Sequence, residues 1–204
     1  EAYLLGDDLL VAPVVEAGAT RRRVHLPSGT WVHWFTSEAA RGPTDLDVEA
    51  PIGRPPLYVR QGAIIPMLAE AVVTLSRTDA ADVVDEFDRE AIVRARIVPA
   101  GTREVTLEDD TRLRVEESAT SLTLRFEPGR TLRDLRAEID LGHRGSGSAP
   151  PITIGAVTRE GGSALTPVSD PAMVAAGCDG CWHYDARGAT LRVGVRGRAA
   201  ISVR

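Results

Sequence analysis

Lysine and asparagine are both missing from these 204 residues, and glutamine occurs once, at Gln61. All 24 basic residues are therefore arginine, a bias that reads as GC-rich coding and not as physics. Without asparagine there is no N-glycosylation sequon. Aromatics make up only 4%, so the core has to rest on Val, Leu, Ile and Ala. Long apolar runs are absent as well. Stretches such as Leu9 to Val15 fall far short of the ~20 residues of a spanning helix, so no membrane is expected. Beyond Arg21, Arg22 and Arg23 no basic block stands out, and the net charge is −5, which argues against nucleic acid as a partner. The chain opens Glu1-Ala2-Tyr3, with no initiator Met, basic leader or cleavage pattern. It reads as a piece that begins inside a longer protein.

What is present is ordinary globular composition, 43% hydrophobic and 26% charged, patterned as strands. Leu9 to Val15 is a short apolar run ending near Pro13. Arg23-Val24-His25-Leu26 alternates, and Pro27-Ser28-Gly29 reads as a turn. Thr30 to Thr36 is rich in strand formers, and Ala39 to Asp45 is loop-like. Leu57 to Arg60, Ala63 to Pro66 and Val72 to Leu75 follow as candidates. Asp79 to Glu90 is acidic and weakly patterned, as in a linker. Alternation resumes at Ile92–Val98, Glu104–Leu107, Leu113–Val115 and Leu122–Phe126. Leu132 to Leu141 is ambiguous between a short helix and a strand. Gly142 to Pro151 reads as a loop. Thr190–Val195 and Ala200–Val203 suggest a hairpin around Arg196-Gly197-Arg198. Many short strands with turn residues between them imply an all-β fold of antiparallel β-sandwiches. The expected division is a proximal domain at 1–75 and a distal one at 76–204.

Four blocks carry a family resemblance. They are Tyr3 to Val15, Arg23-Val24-His25-Leu26-Pro27, Gly29-Thr30-Trp31 with Trp34, and Ala50 to Met67. In this order and spacing they resemble the segment of family 31 glycoside hydrolases in which the chain leaves the catalytic barrel for its C-terminal β-sandwiches. Val105-Thr106-Leu107-Glu108-Asp109-Asp110 resembles a later family stretch, without its aromatic and its Gly. The resemblance implies a parent that is a retaining α-glycosidase acting on an oligosaccharide without a cofactor. Retention needs two carboxylates about 5–5.5 Å apart. In the family these are Asp residues on the barrel upstream, so no residue here inherits a catalytic role. The implied partner is that barrel. The candidate barrel-facing residues are Tyr3, Leu4, Leu5, Trp31, Trp34 and Tyr58. Trp31 and Trp34, three apart, should face opposite sides of a strand, one filling the core.

Other candidates have mundane readings. Asp7-Asp8 suits a turn. Glu108-Asp109-Asp110 reads as a solvated turn, against a calcium site that needs six to eight oxygens. His25, His33, His143 and His183 are scattered, without a metal-ligand pattern. Cys178-Asp179-Gly180-Cys181 offers two of the four ligands that zinc requires. It suits a local disulfide in an exported protein or free thiols in a bacterial cytoplasm. Two rivals differ in class. A carbohydrate-binding module would display an aromatic platform, for which nine aromatics are few. An adhesion sandwich would leave the four ordered blocks unexplained.

Overall fold

Alternation of period two sets the architecture of the computed structural model, which describes residues 2–80, 82–85, 91–142, 154–159 and 162–203. The first sheet has five antiparallel strands: β1 (Tyr3–Leu5), β2 (Leu9–Val11), β3 (Arg21–His33), β4 (Ala39–Glu49) and β5 (Leu57–Arg60). Their spatial order is β1-β2-β5-β3-β4. Leu10, Val24, Leu26, Trp31 and Tyr58 are buried together in one cluster, and Val32 and Val59 in another with Ala63 and Val98.

Two local expectations change here. Pro27-Ser28-Gly29 is not a turn but an irregularity inside β3, where the register against β4 shifts between Leu26 and Gly29. The indole of Trp31 satisfies the displaced carbonyl, Nε1–H donating to Pro27 O at 2.9 Å. Ala39 to Asp45 is likewise strand and not loop. Its residues lack β propensity, yet β3 supplies the pairing through Val32↔Ala39 to His25↔Asp45, and tertiary pairing overrides propensity.

The remaining strands build a sandwich. One sheet contains β8 (Thr102–Thr106), β9 (Arg112–Glu117), β10 (Leu122–Glu127), β12 (Val157–Arg159) and β16 (Ala199–Val203), in the order β12-β16-β10-β9-β8. The other contains β6 (Ile64–Met67), β7 (Ile92–Ile97), β11 (Asp134–Asp140), β13 (Thr166–Pro167), β14 (Cys181–Asp185) and β15 (Thr190–Arg196), in the order β13-β14-β15-β11-β7-β6. Pairing is antiparallel except for β7 with β11 and β13 with β14. Leu124, Phe126 and Ile201 from the first sheet meet Ile97, Leu135, Ile139 and Leu191 from the second in one buried core. Ile64–Met67 precedes residue 75, yet it pairs with β7 and so belongs to this sandwich. The ambiguous stretch from Leu132 is the strand β11. Val72 to Leu75 contributes only an isolated bridge, Thr74↔Asp85.

The expected hairpin around Gly197 is a correction of another kind. β15 lies in the six-stranded sheet and β16 in the five-stranded one. Gly197, at φ 57°, turns the chain from one layer of the sandwich to the other, and Val195 and Ala199 enter the same core from opposite sides. Among the described residues one short helix, α1 (Pro171–Ala176), sits between β13 and β14. Asp170 caps it by accepting from the Ala172 N–H, and Gly177 ends it at φ 105°.

Candidate functional site

The register of the first sheet brings several candidate residues to one end. Tyr3 pairs with Val11, and Val11 with Leu57. The Trp34 N–H donates to Leu57 O at 2.8 Å, so the row runs from the edge strand β1 to the turn after β3. At this end Tyr3 is 53% exposed and Phe35 43%. Leu4 and Leu5 are also exposed along β1. The Arg54 guanidinium stands over the Phe35 ring, 5.8 Å from its centroid. Contiguous exposed apolar side chains are the kind of surface that a partner covers.

Of the six candidate barrel-facing residues, Tyr3, Leu4 and Leu5 are exposed, while Trp31 and Tyr58 are buried in this chain's own core. The reason is economy of volume: with few aromatics, large rings contribute most inside. Trp34 falls on the opposite face from Trp31. It packs on the Val32–Val59 cluster, beneath Arg96, whose guanidinium lies 5.0 Å from its ring. Phe35, Ile52 and Arg54 were not singled out by sequence. Ile52 and Arg54 fall inside the Ala50 to Met67 block without a local mark of exposure, and Phe35 is an aromatic at a strand end.

A polar junction ties the two sheets together. Arg96, 6% exposed, donates to Glu138 Oε1 at 3.1 Å, Asp140 Oδ2 at 3.2 Å and Ser37 Oγ at 3.3 Å. Ser37 and Trp34 come from the turn after β3, whereas Glu138 and Asp140 lie on β11. One guanidinium thus grips both units.

His33 and Tyr58 face each other across the β3–β5 pair, with ring centroids 5.0 Å apart at 80°. The Thr36 backbone N–H donates to His33 Nδ1 at 3.2 Å. An N–H can only donate, so the proton of the neutral ring resides on Nε2. Burial lowers the His33 pKa, with Glu38 opposing and Arg96 assisting, and burial with Glu38 nearby raises that of Tyr58. Both residues line a groove of about 540 Å³ that also touches Ser37, Glu38, Asp47 and Gly142.

The remaining candidates separate cleanly. Asp7 and Asp8 form the turn of the β1–β2 hairpin, and Asp8 pairs with Arg103 at 3.3 Å. His25 bonds Asp45 at 2.8 Å on the exposed face of β3 and β4. His183 Nδ1 contacts Val168 O at 2.9 Å, and His143 lies outside the described residues. Among the described residues no His, Cys, Asp and Glu group has a metal-holding arrangement. Cys178 and Cys181 have Cα atoms 5.9 Å apart, inside the range of bridged cysteines, and their sulfurs meet across the Asp179-Gly180 turn.

Glu108-Asp109-Asp110 is a turn, but its middle residue is not solvated. The Asp109 side chain is 13% exposed and bonds Arg133 Nε at 2.7 Å. Burial pushes its pKa up, yet Arg133 and the hydroxyl and N–H of Thr111 outweigh this and hold it at about 2. The ionised form is favoured by the fold, so the stability it adds is present above the ordinary value of 3.8 and is lost as pH falls from there towards about 2. Asp109→Asn is expected to cost about 1.5 kcal/mol at pH 7 and to flatten the stability curve across that window. Urea midpoints measured from pH 2 to pH 7 check both; a parallel acid limb in the variant would contradict the assignment.

Comparison with known proteins now adds to this geometry. Residues 1–65 match the glycosyl hydrolase family 31 C-terminal domain. Over that first third, the chain has the sequence of a family 31 glycosyl hydrolase C-terminal domain. The chain is 52% identical over 58 residues to the sulfoquinovosidase of Escherichia coli (strain K12), covering 28% of this chain and 8% of that protein. It is 31% identical over 111 residues to the isomaltosyltransferase of Sporosarcina globispora, covering 54% of this chain and 10% of that one. The matched region therefore spans about a tenth of these family 31 relatives. The fold extends further: all of this chain superposes on 26% of the Flavobacterium johnsoniae GH31 dextranase, with a TM-score of 0.71 at 21% identity.

Proposed function

We propose that this chain is the non-catalytic C-terminal portion of a retaining α-glycosidase and that it braces a (β/α)8 barrel carrying the catalytic carboxylates. The match of residues 1–65 to the family domain carries the reading. Two further features support it. Relatives whose names denote action on glycosides are about ten times longer than the matched region, leaving ample chain for a barrel. The exposed Tyr3, Leu4 and Leu5 along edge strand β1, with Phe35 at the end where β1 begins, offer a docking surface. Interfaces between domains of one chain bury on the order of 600–1,500 Å², which such a set would help to fill. The substrate in this reading is an α-linked oligosaccharide, and no cofactor is required for double displacement at two carboxylates.

The test has two arms. The purified 204-residue chain is expected to release no nitrophenol from 4-nitrophenyl α-glucoside above the buffer rate. In the full-length enzyme, Tyr3→Asp with Leu5→Asp is expected to lower the thermal midpoint by at least about 3 °C while leaving the isolated chain unchanged, since both side chains are exposed in it. Turnover that tracks with the isolated chain, or a full-length enzyme indifferent to the charges, would overturn the reading.

A further inference from the structure

The charges on the central strands of the six-stranded sheet do not balance. Side chains alternate across a strand, and the register of β7, β11 and β15 puts every charged one on the face opposite the core. That face carries Arg94, Arg96, Arg136, Arg192 and Arg196 against Asp134, Glu138 and Asp140. The three carboxylates are already committed. Asp140 pairs with Arg96, and Glu138 with Arg96 and Arg192, while Asp134 stands 3.7 Å from Arg136 and 4.0 Å from Arg196. The deficit falls on one row, Arg94↔Arg136↔Gly194. Arg94 makes no ion pair or hydrogen bond among the described residues. Arg136 is 8% exposed, and its Nη1 donates to backbone carbonyls, Leu135 O at 2.9 Å and Val195 O at 3.4 Å. Its Nε is buried without an acceptor. Like charges on adjacent strands repel, and a buried cation without a hydrogen-bonded carboxylate keeps much of its desolvation cost.

Both arginines line a groove of about 540 Å³ on this face. Gly194 gives the groove its wall. Without a side chain there, α1 settles on the sheet: an added Cβ would stand 2.9 Å from Cys178 O and 3.4 Å from Val174 Cγ1. Ala172, Val174 and Ala175 of α1 then border the groove, and Met67 lines it from β6. The other carboxylates on its border, Glu70 and Asp185, have no bond to the row. Glu70 is exposed, and Asp185 accepts from the Arg187 N–H within its own turn. The excess of guanidinium excludes a cation, and the apolar wall beside it favours an anion with a hydrocarbon body over a bare ion. We propose that this groove binds a small organic anion, its carboxylate or phosphate seated between Arg94 and Arg136 and its apolar part against α1. The inference stands without the docking reading.

The experiment titrates the 204-residue chain with benzoate, with phenyl phosphate, and with benzyl alcohol as their neutral counterpart. The amide NMR signals of Arg94, Val174 and Ala175 report binding. Saturable shifts with a Kd on the order of 1 mM are expected for at least one anion and not for the alcohol. Tighter benzoate identifies a carboxylate site, tighter phenyl phosphate a phosphate site, and equal affinity an oxyanion site without preference; each supports the proposal. Arg94→Gln removes a half-buried cation that has no partner to orphan, and is expected to raise Kd roughly tenfold. Ala175→Glu puts a carboxylate on the exposed wall and is expected to do the same; it carries the test if Arg94→Gln folds poorly. Linear, non-saturating shifts up to about 100 mM with both anions, equal binding of benzyl alcohol, or an unchanged Kd in either folded variant would overturn the proposal.

Discussion

Arg96→Ala is expected to destabilise the chain by about 3–5 kcal/mol, read from urea unfolding. The size follows from what stays behind. Asp140 has a side chain with 0% exposure, and once the guanidinium is gone its remaining donor among the described residues is the Gly142 N–H at 3.0 Å. A buried carboxylate that loses its cation retains the desolvation cost without the compensating attraction. Glu138 suffers less, because its side chain is 27% exposed and Arg192 Nε stays 3.6 Å from it. Trp34 also loses the cation over its ring, a contribution of about 1 kcal/mol. Much of the effect should therefore reside in the pair and not in Arg96 alone. Arg96→Met combined with Asp140→Leu is expected to cost clearly less than the sum of the single changes, since removing both charges leaves nothing unpaired. A loss under about 1 kcal/mol for Arg96→Ala, or strict additivity in the double variant, would show that the junction behaves like a surface ion pair.

That junction explains why part of the site escaped sequence reading. Arg96 and Glu138 become neighbours through the parallel register of β7 and β11, 42 residues apart. Neither strand carries a local sign of the other. Sequence alternation gives no reason to expect a buried arginine inside Ile92–Val98, since Arg94 and Arg96 look alike there as outward positions. What alternation does convey is which side chains share a face, and that was legible. Val24 and Leu26 pack together, and Trp31 and Trp34 take opposite faces. The four ordered blocks were legible for a different reason: they span residues 3–67, nearly the same stretch that matches the family domain over 1–65.

The errors share one cause. Turn composition identifies where a chain bends, but not which strand it returns to. Arg196-Gly197-Arg198 bends the chain as expected, yet β16 joins β10 and β12 and not β15, because both strands present apolar residues that fit either a hairpin or two facing sheets. Pro27-Ser28-Gly29 has the residues of a turn, but β4 pairs on both sides of it, so the strand continues through. The exposed Phe35 and Ile52 were illegible because sequence cannot tell an apolar residue in a loop from one folded back into a core.

Gly42 is the position where that irregular pairing makes the sharpest demand, and Gly42→Ala is expected to cost about 3 kcal/mol or more, or to prevent folding. Gly42 stands opposite Gly29 in the β3–β4 ladder, just past the register shift. A Cβ added there would come within 2.7 Å of Leu26 O and 2.8 Å of Pro27 C, and closer still to Pro27 O. All three obstacles are backbone, so no rotamer change relieves them. Pro27 O also cannot retreat freely, because it accepts from Trp31 Nε1 at 2.9 Å, and Trp31 is fully buried. Strain at Gly42 would therefore reach the core through the indole and should appear as loss of near-UV circular dichroism as well as stability. Gly53→Ala serves as the comparison. Its φ is +82° but nothing lies within 4 Å of the added atom, so only the left-handed backbone cost of about 1 kcal/mol applies. Urea midpoints and near-UV spectra of the two variants decide the matter. Equal losses at both sites, or an unperturbed tryptophan signal in a destabilised Gly42→Ala, would mean that the ladder yields at this point without involving Trp31.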